Sequence, residues 1–313
     1  MGEMIITKPG QVQSHQNGLQ PDLFARFIAY LDASPKTVET YTRALRPFMK
    51  WLKANGITNP QRADLLQYRN ELKATRKPAT VQLYMITIRL FFQWAQQAGL
   101  YPNVAEHLKG AKIDRRHPKN KALEAYQVKE VLKGIDRSSL EGARNYAMLV
   151  LMFTAGLRTI EVSRANIEDL DTLAGAPVLF VQGKGRDERA EHVNLNRHAE
   201  EAIRDYLKQR PEARPTDPLF TSTSNRNQGG QMTTRSISQT VKNAFLAVGL
   251  NSSKWTAHST RHTAVTLAID AGATLLEAQQ FARHLNPATT EIYYHERNEA
   301  INPCADKVAA AIF

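Results

Sequence analysis

KGAKIDRRHPKNKA, residues 109–122, is the stretch on which the organisation of the chain turns. It is basic, contains a proline and offers one large apolar side chain, Ile113, so it cannot bury itself and reads as a linker between two domains. Before it, apolar residues recur only at helical spacing. Ser34 is placed to cap a helix with Pro35 in its first turn, and Val38, Tyr41, Leu45, Phe48 and Leu52 then form one stripe running to about Gly56. Pro47 lies inside that run and removes a backbone donor, which predicts a kink or an earlier end. Further helices are expected over 21–31, 63–74 and 79–98, with a short piece over 104–109. After the linker, helical patterns at 124–136 and 141–156 give way to strand-like segments at 177–182 and 189–195, joined by GKGRDE, which read as a hairpin. Helical spacing then returns at 197–209, 233–248, 258–271 and 275–284. The expected fold is therefore mainly α with a small antiparallel β-sheet. Its parts are a polar tail (1–20), a helical domain (21–108), the basic linker (109–123) and an α+β domain (124–313).

Composition narrows the function. The 313 residues, 42% of them hydrophobic, suffice for two cores. No segment approaches the roughly 18 consecutive apolar residues of a membrane span, and MGEMIITKPGQVQSHQNG at the start lacks the apolar core of a secretory signal, so a cytoplasmic protein without a membrane partner is expected. A single cysteine, Cys304, can form neither an intramolecular disulfide nor a Cys-rich zinc site. No cofactor or metal is expected. The net charge of +11 points to a polyanion, and its location is more telling: residues 36–121 hold 17 Lys/Arg against 5 Asp/Glu, so the excess lies in the first domain and the linker. Arg43, Arg46, Lys50 and Lys53 recur at steps of three and four on the helix face opposite the apolar stripe, where they can meet phosphates. Arg115 and Arg116 in the linker are expected to touch DNA as well, making the two lobes a C-shaped clamp on the duplex.

The second domain carries the chemistry. Arg158 in TAGLRTIEV, Lys184 in VQGKGRDER, the HSTRH run of His258–His262, and ARHLNPATTEIYYH with His284 and Tyr293 follow one another along it. Singly each is weak, since an arginine at a helix end caps carbonyls, a hairpin lysine is solvated, and an aromatic pair usually packs. Together they supply what transesterification of a phosphodiester needs without a metal. Two arginines neutralise charge on the non-bridging oxygens. A tyrosine hydroxyl, weak at its ordinary pKa of about 10, becomes a nucleophile when a neighbour accepts its proton. A lysine or histidine can protonate the departing oxygen.

At these residues the sequence resembles the tyrosine recombinases, the phage integrase and Xer family, whose catalytic domains carry Arg, Lys, HxxR, His and Tyr in that order. GLRxxE falls on Gly156–Glu161, GKG on Gly183–Gly185 and HxxRH on His258–His262, with the late histidine at His284 and the nucleophile nine residues on, at Tyr293. The resemblance covers about residues 21–300, because the basic first domain is similar to the family's SAM-like core-binding domain. It implies that Arg158 and Arg261 hold the scissile phosphate, Lys184 protonates the leaving 5′-oxygen, His258 assists proton transfer at the nucleophile, His284 hydrogen-bonds the phosphate, and Glu161 orients the turn that bears Arg158. This sequence departs from the family's pattern in having Arg283 where glycine usually precedes the late histidine, in a longer second hairpin strand, and in a second tyrosine, Tyr294, beside Tyr293.

The implied activity is site-specific recombination through a 3′-phosphotyrosyl intermediate and a Holliday junction, by a homo-tetramer on two double-stranded DNA sites, with room for an accessory protein. A topoisomerase-like nicking and closing enzyme, and a DNA-binding protein that keeps the fold without catalysis, are the competing readings. Among family members, the short segment before residue 21 favours Xer-like proteins and mobile-element recombinases without an arm-binding domain. Past Tyr293, Ala305, Val308, Ala309 and Ile312 make a short apolar stripe after the Asn302-Pro303 break, expected to pack on its own domain or on a neighbouring protomer.

Overall fold

The computed structural model describes residues 18–19, 22–113, 122–183, 189–293 and 304–313. The chain divides into two compact units, 1–114 and 115–313. Among the described residues no helix is long and apolar enough to cross a membrane.

The first unit is helical: α1 (Leu23–Tyr30), α2 (Pro35–Ala54), α3 (Arg62–Thr75) and α4 (Pro78–Gln97). The other three helices pack on α4. That helix can serve all three because Val81, Met85, Ile88, Phe91, Phe92 and Ala95 spread its apolar residues beyond a single stripe, and each is fully buried. Aromatic rings fill the centre, with Phe27 and Phe91 meeting edge to face at 5.5 Å. Ser34 caps α2, its side chain accepting from the Thr37 N–H at 3.3 Å. The helix does not end at Pro47, and α2 continues to Ala54. A mid-helix proline costs about 3 kcal/mol. Here the burial of Ala44, Leu45, Phe48 and Leu52 on both sides of it outweighs that cost, each large apolar side chain contributing about 1.5–3 kcal/mol. The expected short helix over 104–109 is a turn, in which His107 has a φ of 53° and Ala105 and Leu108 are anchored in the core.

The second unit comprises α5 (Ala125–Lys133), α6 (Leu140–Thr154), α7 (Thr159–Arg164), a 3-10 turn (Ile167–Asp169), β1 (Leu170–Leu173), β2 (Ala176–Val181), β3 (Glu191–Asn194), α8 (Arg197–Lys208), α9 (Thr234–Ala247), α10 (Ala257–Asp270) and α11 (Leu275–Ala282). A helix α12 follows, described over 288–293, and then α13 (Cys304–Ile312). At the centre is α6, buried without interruption from Ala147 to Phe153 and packed against α8 and α10. The sheet is antiparallel in the order β1-β2-β3, with Leu170 opposite Leu179 and Val181 opposite Glu191.

Three departures from the sequence expectations are local. Strand β1 is mostly exposed and so lacks the alternation that marks a half-buried strand; it is joined to β2 by Ala174 and Gly175, both at positive φ (49° and 82°), as a two-residue hairpin turn requires. Strand β3 begins at Glu191 rather than Arg189, and the Arg189 guanidinium pairs instead with Glu168 at 3.4 Å and with the buried carboxylate of Asp169. Helix α7 is too short to show a period. In α13, Val308, Ile312 and the following Phe313 are exposed.

Gly156 is what turns α6 into α7. Its φ is +61°, and a Cβ there would lie 3.3 Å from the Phe281 ring. Gly156→Ala should therefore lower stability by about 1–2 kcal/mol from the left-handed backbone alone, with the Phe281 contact added. Thermal or urea denaturation of the purified variant measures this.

Candidate active site

The turn between α6 and α7 delivers Arg158 as the N-cap residue of α7. Glu161, in the first turn of that helix and fully buried, accepts from the Arg158 backbone N–H at 2.8 Å and from its Nη1 at 2.7 Å. One carboxylate thus closes the helix end and holds the guanidinium, whose side chain remains 31% exposed. The second oxygen of Glu161 also accepts from Arg283 Nη2 at 2.8 Å. Burial pushes the Glu161 carboxyl upward, but Arg283 and then Arg158 more than offset it, so its pKa lies below the ordinary value.

Helix α10 begins after Thr256 and places His258, Arg261 and His262 on its first turns. Arg261 is only 1% exposed and is tied to main-chain carbonyls on two other segments, Gly156 at 2.5 Å and Ala282. Burial, then the neighbouring Arg158 and Arg283, pull its pKa down to about 9, which still leaves it charged at neutral pH. Three guanidiniums against two carboxylates, Glu161 and the cleft-lining Glu191, leave a net surplus of positive charge, which suits an anion.

The end of α11 and the start of α12 complete the group. His284 Nδ1 shares a hydrogen bond of 2.9 Å with Thr290, and Gln279 Nε2 donates to the His284 carbonyl at 3.1 Å. Tyr293 is buried against Val265 and Ala282. Its ring lies 4.7 Å from that of His262 and stacks 6.2 Å from His284, while His258 and His262 rings meet edge-on at 5.1 Å. A cleft of about 420 Å³ is walled by Arg158, His258, Arg261, His284 and Tyr293. An adjoining space of about 750 Å³ shares Arg158, His258 and Arg261 and extends past Trp255 and Lys242.

Of the residues singled out in the sequence, Arg158, His258, Arg261, His284 and Tyr293 thus share one cleft. Lys184, like Arg115, Arg116 and Tyr294, lies outside the described residues. Gly183, the residue before Lys184, lines the cleft and accepts at its carbonyl from Arg164 Nη1 at 3.3 Å. Arg43, Arg46, Lys50 and Lys53 are exposed on α2 in the first unit, Arg43 paired with Glu39. The sequence reading missed His262 as a neighbour of Tyr293, although its place four residues after His258 puts both on one helix face. It also missed the side-chain role of Arg283, for which no local pattern exists.

Residues 121–300, more than half of the chain, match the model of the phage integrase family. The chain belongs to that family. Residues 24–99 match the family's N-terminal SAM-like domain. A tyrosine recombinase of Synechococcus elongatus is 26% identical over 290 residues, covering 88% of this chain and 89% of the relative. The tyrosine recombinase XerC of Escherichia coli O157:H7 is 29% identical, covering 86% and 90% respectively. Among solved structures, XerH site-specific recombinase bound to palindromic difH substrate superposes with a TM-score of 0.73 at 20% identity, covering 86% of this chain and 79% of that one. A lambda integrase dimer bound to a COC′ core site gives 0.66 at 16%, covering 86% and 96%. The mainly helical fold, with its small antiparallel sheet and SAM-like first domain, is that of these recombinases.

The histidines give this phage integrase family member a pH signature. Burial first, and then neighbouring cations and histidine, lower His262 and His284 to about 4, against about 6.5 in an unfolded chain. Between these values the unfolded state binds protons that the folded state refuses, so stability falls as pH drops below about 6.5. The thermal midpoint of the DNA-free protein should decline from pH 6.5 to 5, before carboxylates titrate, and His262→Gln should flatten that decline.

Proposed function

We propose that the chain is a site-specific DNA recombinase of the tyrosine type, acting on double-stranded DNA through Tyr293. The observation that carries this reading is the convergence of Arg158, His258, Arg261, His284 and Tyr293, from four segments up to 135 positions apart in sequence, on one cleft. A protein that only bound DNA would have no use for a buried tyrosine among these cations.

In the proposed reaction the Tyr293 hydroxyl oxygen attacks the scissile phosphorus and loses its proton to His258, with His262 adjacent to both rings. Both imidazoles have lowered pKa values, His262 down to about 4 and His258 below the ordinary value through burial and then Arg261 and Arg158, so at neutral pH each is unprotonated and can accept. Arg158 and Arg261 neutralise the charge that grows on the non-bridging oxygens, and His284 donates to one of them. The bond from phosphorus to the 5′-oxygen breaks, and Lys184 gives that oxygen a proton. The products are a 3′-phosphotyrosyl linkage and a free 5′-hydroxyl. The linkage keeps the energy of the broken bond, so attack by a 5′-hydroxyl from a second duplex rejoins DNA without ATP. Exchange of one strand pair gives a Holliday junction and exchange of the second resolves it. Two duplexes have four strands to cut, and one tyrosine per protomer therefore requires a tetramer. The exposed apolar end of α13 supports contact between such protomers. On α2, the exposed stripe of Arg43, Arg46, Lys50 and Lys53 would track the phosphate backbone.

Tyr293→Phe should abolish the covalent adduct on a nicked suicide substrate while leaving site binding nearly intact, and Tyr294→Phe should retain the adduct. The reverse pattern would move the nucleophile.

Neutralising Arg43, Arg46, Lys50 and Lys53 together should flatten the salt dependence of DNA binding. The slope should change by about 0.9 for each phosphate that is no longer neutralised. A gel-shift or fluorescence titration across salt concentrations measures it, and an unchanged slope would remove this stripe from the duplex.

A further inference from the structure

Arg283 stands where α11 ends, and its backbone is left-handed, with a φ of +50°. A non-glycine residue there carries a penalty of about 1–2 kcal/mol that glycine would avoid. Its side chain nonetheless runs inward and is only 7% exposed. Nη2 donates to Glu161 at 2.8 Å and Nη1 to the Phe281 carbonyl at 3.2 Å. Two of its three guanidinium nitrogens are thus held by protein acceptors, while Nε is buried without a hydrogen-bond partner among the described residues. What the guanidinium grips is the carboxylate that also holds Arg158 by backbone and side chain. The next residue, His284, is hydrogen-bonded to Thr290 on the helix that bears Tyr293.

We propose that Arg283 is a positioning residue for strand cleavage, which through the buried carboxylate of Glu161 locks the turn bearing Arg158 to the segment bearing His284 and Tyr293. The phosphate-binding and nucleophile-bearing parts of the cleft lie more than a hundred positions apart in sequence, and Glu161 is shared between them. With Arg283 in place, the carboxylate is held from both sides and the Arg158 fork is fixed before DNA arrives. Without it, Glu161 can follow Arg158, and the fork is no longer indexed to Tyr293. Misplacement of this kind affects the chemical step far more than the hold on DNA, because the duplex is gripped by many other contacts.

This inference rests on the reading of the cleft as a strand-cleavage site. The experiment is single-turnover formation of the covalent adduct on a suicide substrate, together with site affinity, for wild type, R283G, R283M, R283K, E161Q and the double variant E161Q/R283G. Loss of a charge-assisted hydrogen bond predicts adduct formation slower by about ten- to a hundredfold in R283G and R283M, with site affinity within about twofold. R283M keeps the length and backbone strain and R283G removes both, so agreement between them isolates the ion pair. R283K should recover part of the rate. In the E161Q background, R283G should slow the reaction by less than about threefold, because the two residues act as one unit. Wild-type rates in either R283G or R283M, multiplicative effects in the double variant, or losses that follow DNA affinity would each overturn the proposal. A wild-type protein that forms no adduct would instead overturn the cleavage reading itself, and this inference with it.

Discussion

The catalytic unit depends on one buried carboxylate. Glu161 is sealed from solvent and would be costly there as a lone charge, yet it is held ionised by guanidiniums on both sides and by the backbone N–H of Arg158. The arrangement has consequences in two directions. It caps α7 and so fixes the turn that delivers Arg158, and it gives Arg283 a reason to point inward at the end of α11. Arg261 does for the main chain what Glu161 does for the side chains, joining the carbonyls of Gly156 and Ala282 to α10. These contacts bind three helix termini into one wall of the cleft.

The electrostatics of that wall follow from burial. Burial first, and then the neighbouring charged and histidine groups, depress Arg261 and the histidines beside it, which leaves His262 and His284 neutral and Arg261 charged near pH 7. That is the state suited to activating a phenol and stabilising a phosphorane-like transition state. An anion bound among Arg158, Arg261 and Arg283 would relieve the repulsion that Arg261 feels from the other two. The same logic limits the protein: a cluster with surplus positive charge is a source of instability until it is paired, a common feature of preorganised sites.

Residues at the site were legible in the sequence to different degrees, for physical reasons. HxxRH is read from sequence because His258, Arg261 and His262 lie on one turn of one helix, where spacing dictates geometry. Arg158 and Glu161 are likewise local, three residues apart. The ion pair of Arg283 with Glu161 spans 122 positions, and no periodicity records it. Of the two outcomes that Pro47 predicts locally, a kink or an earlier helix end, the second is overridden by the tertiary burial around it. Strand β1 was missed because exposed residues in a twisted hairpin leave no alternation to detect.

By itself the sequence determined the mainly helical class, the basic character of the first domain and the ordered set of residue types from which a phosphoryl-transfer site can be built. These are encoded in composition, in periodicity and in short motifs, all of which survive without knowledge of the fold. Only the tertiary structure decided which histidine lies against Tyr293, that Arg283 pairs with the carboxylate of Glu161, and that Arg261 is a structural brace as well as a cation. The reason is that such roles depend on which distant segments share a buried space, and burial sets both the partners and the charge states of the groups enclosed in it.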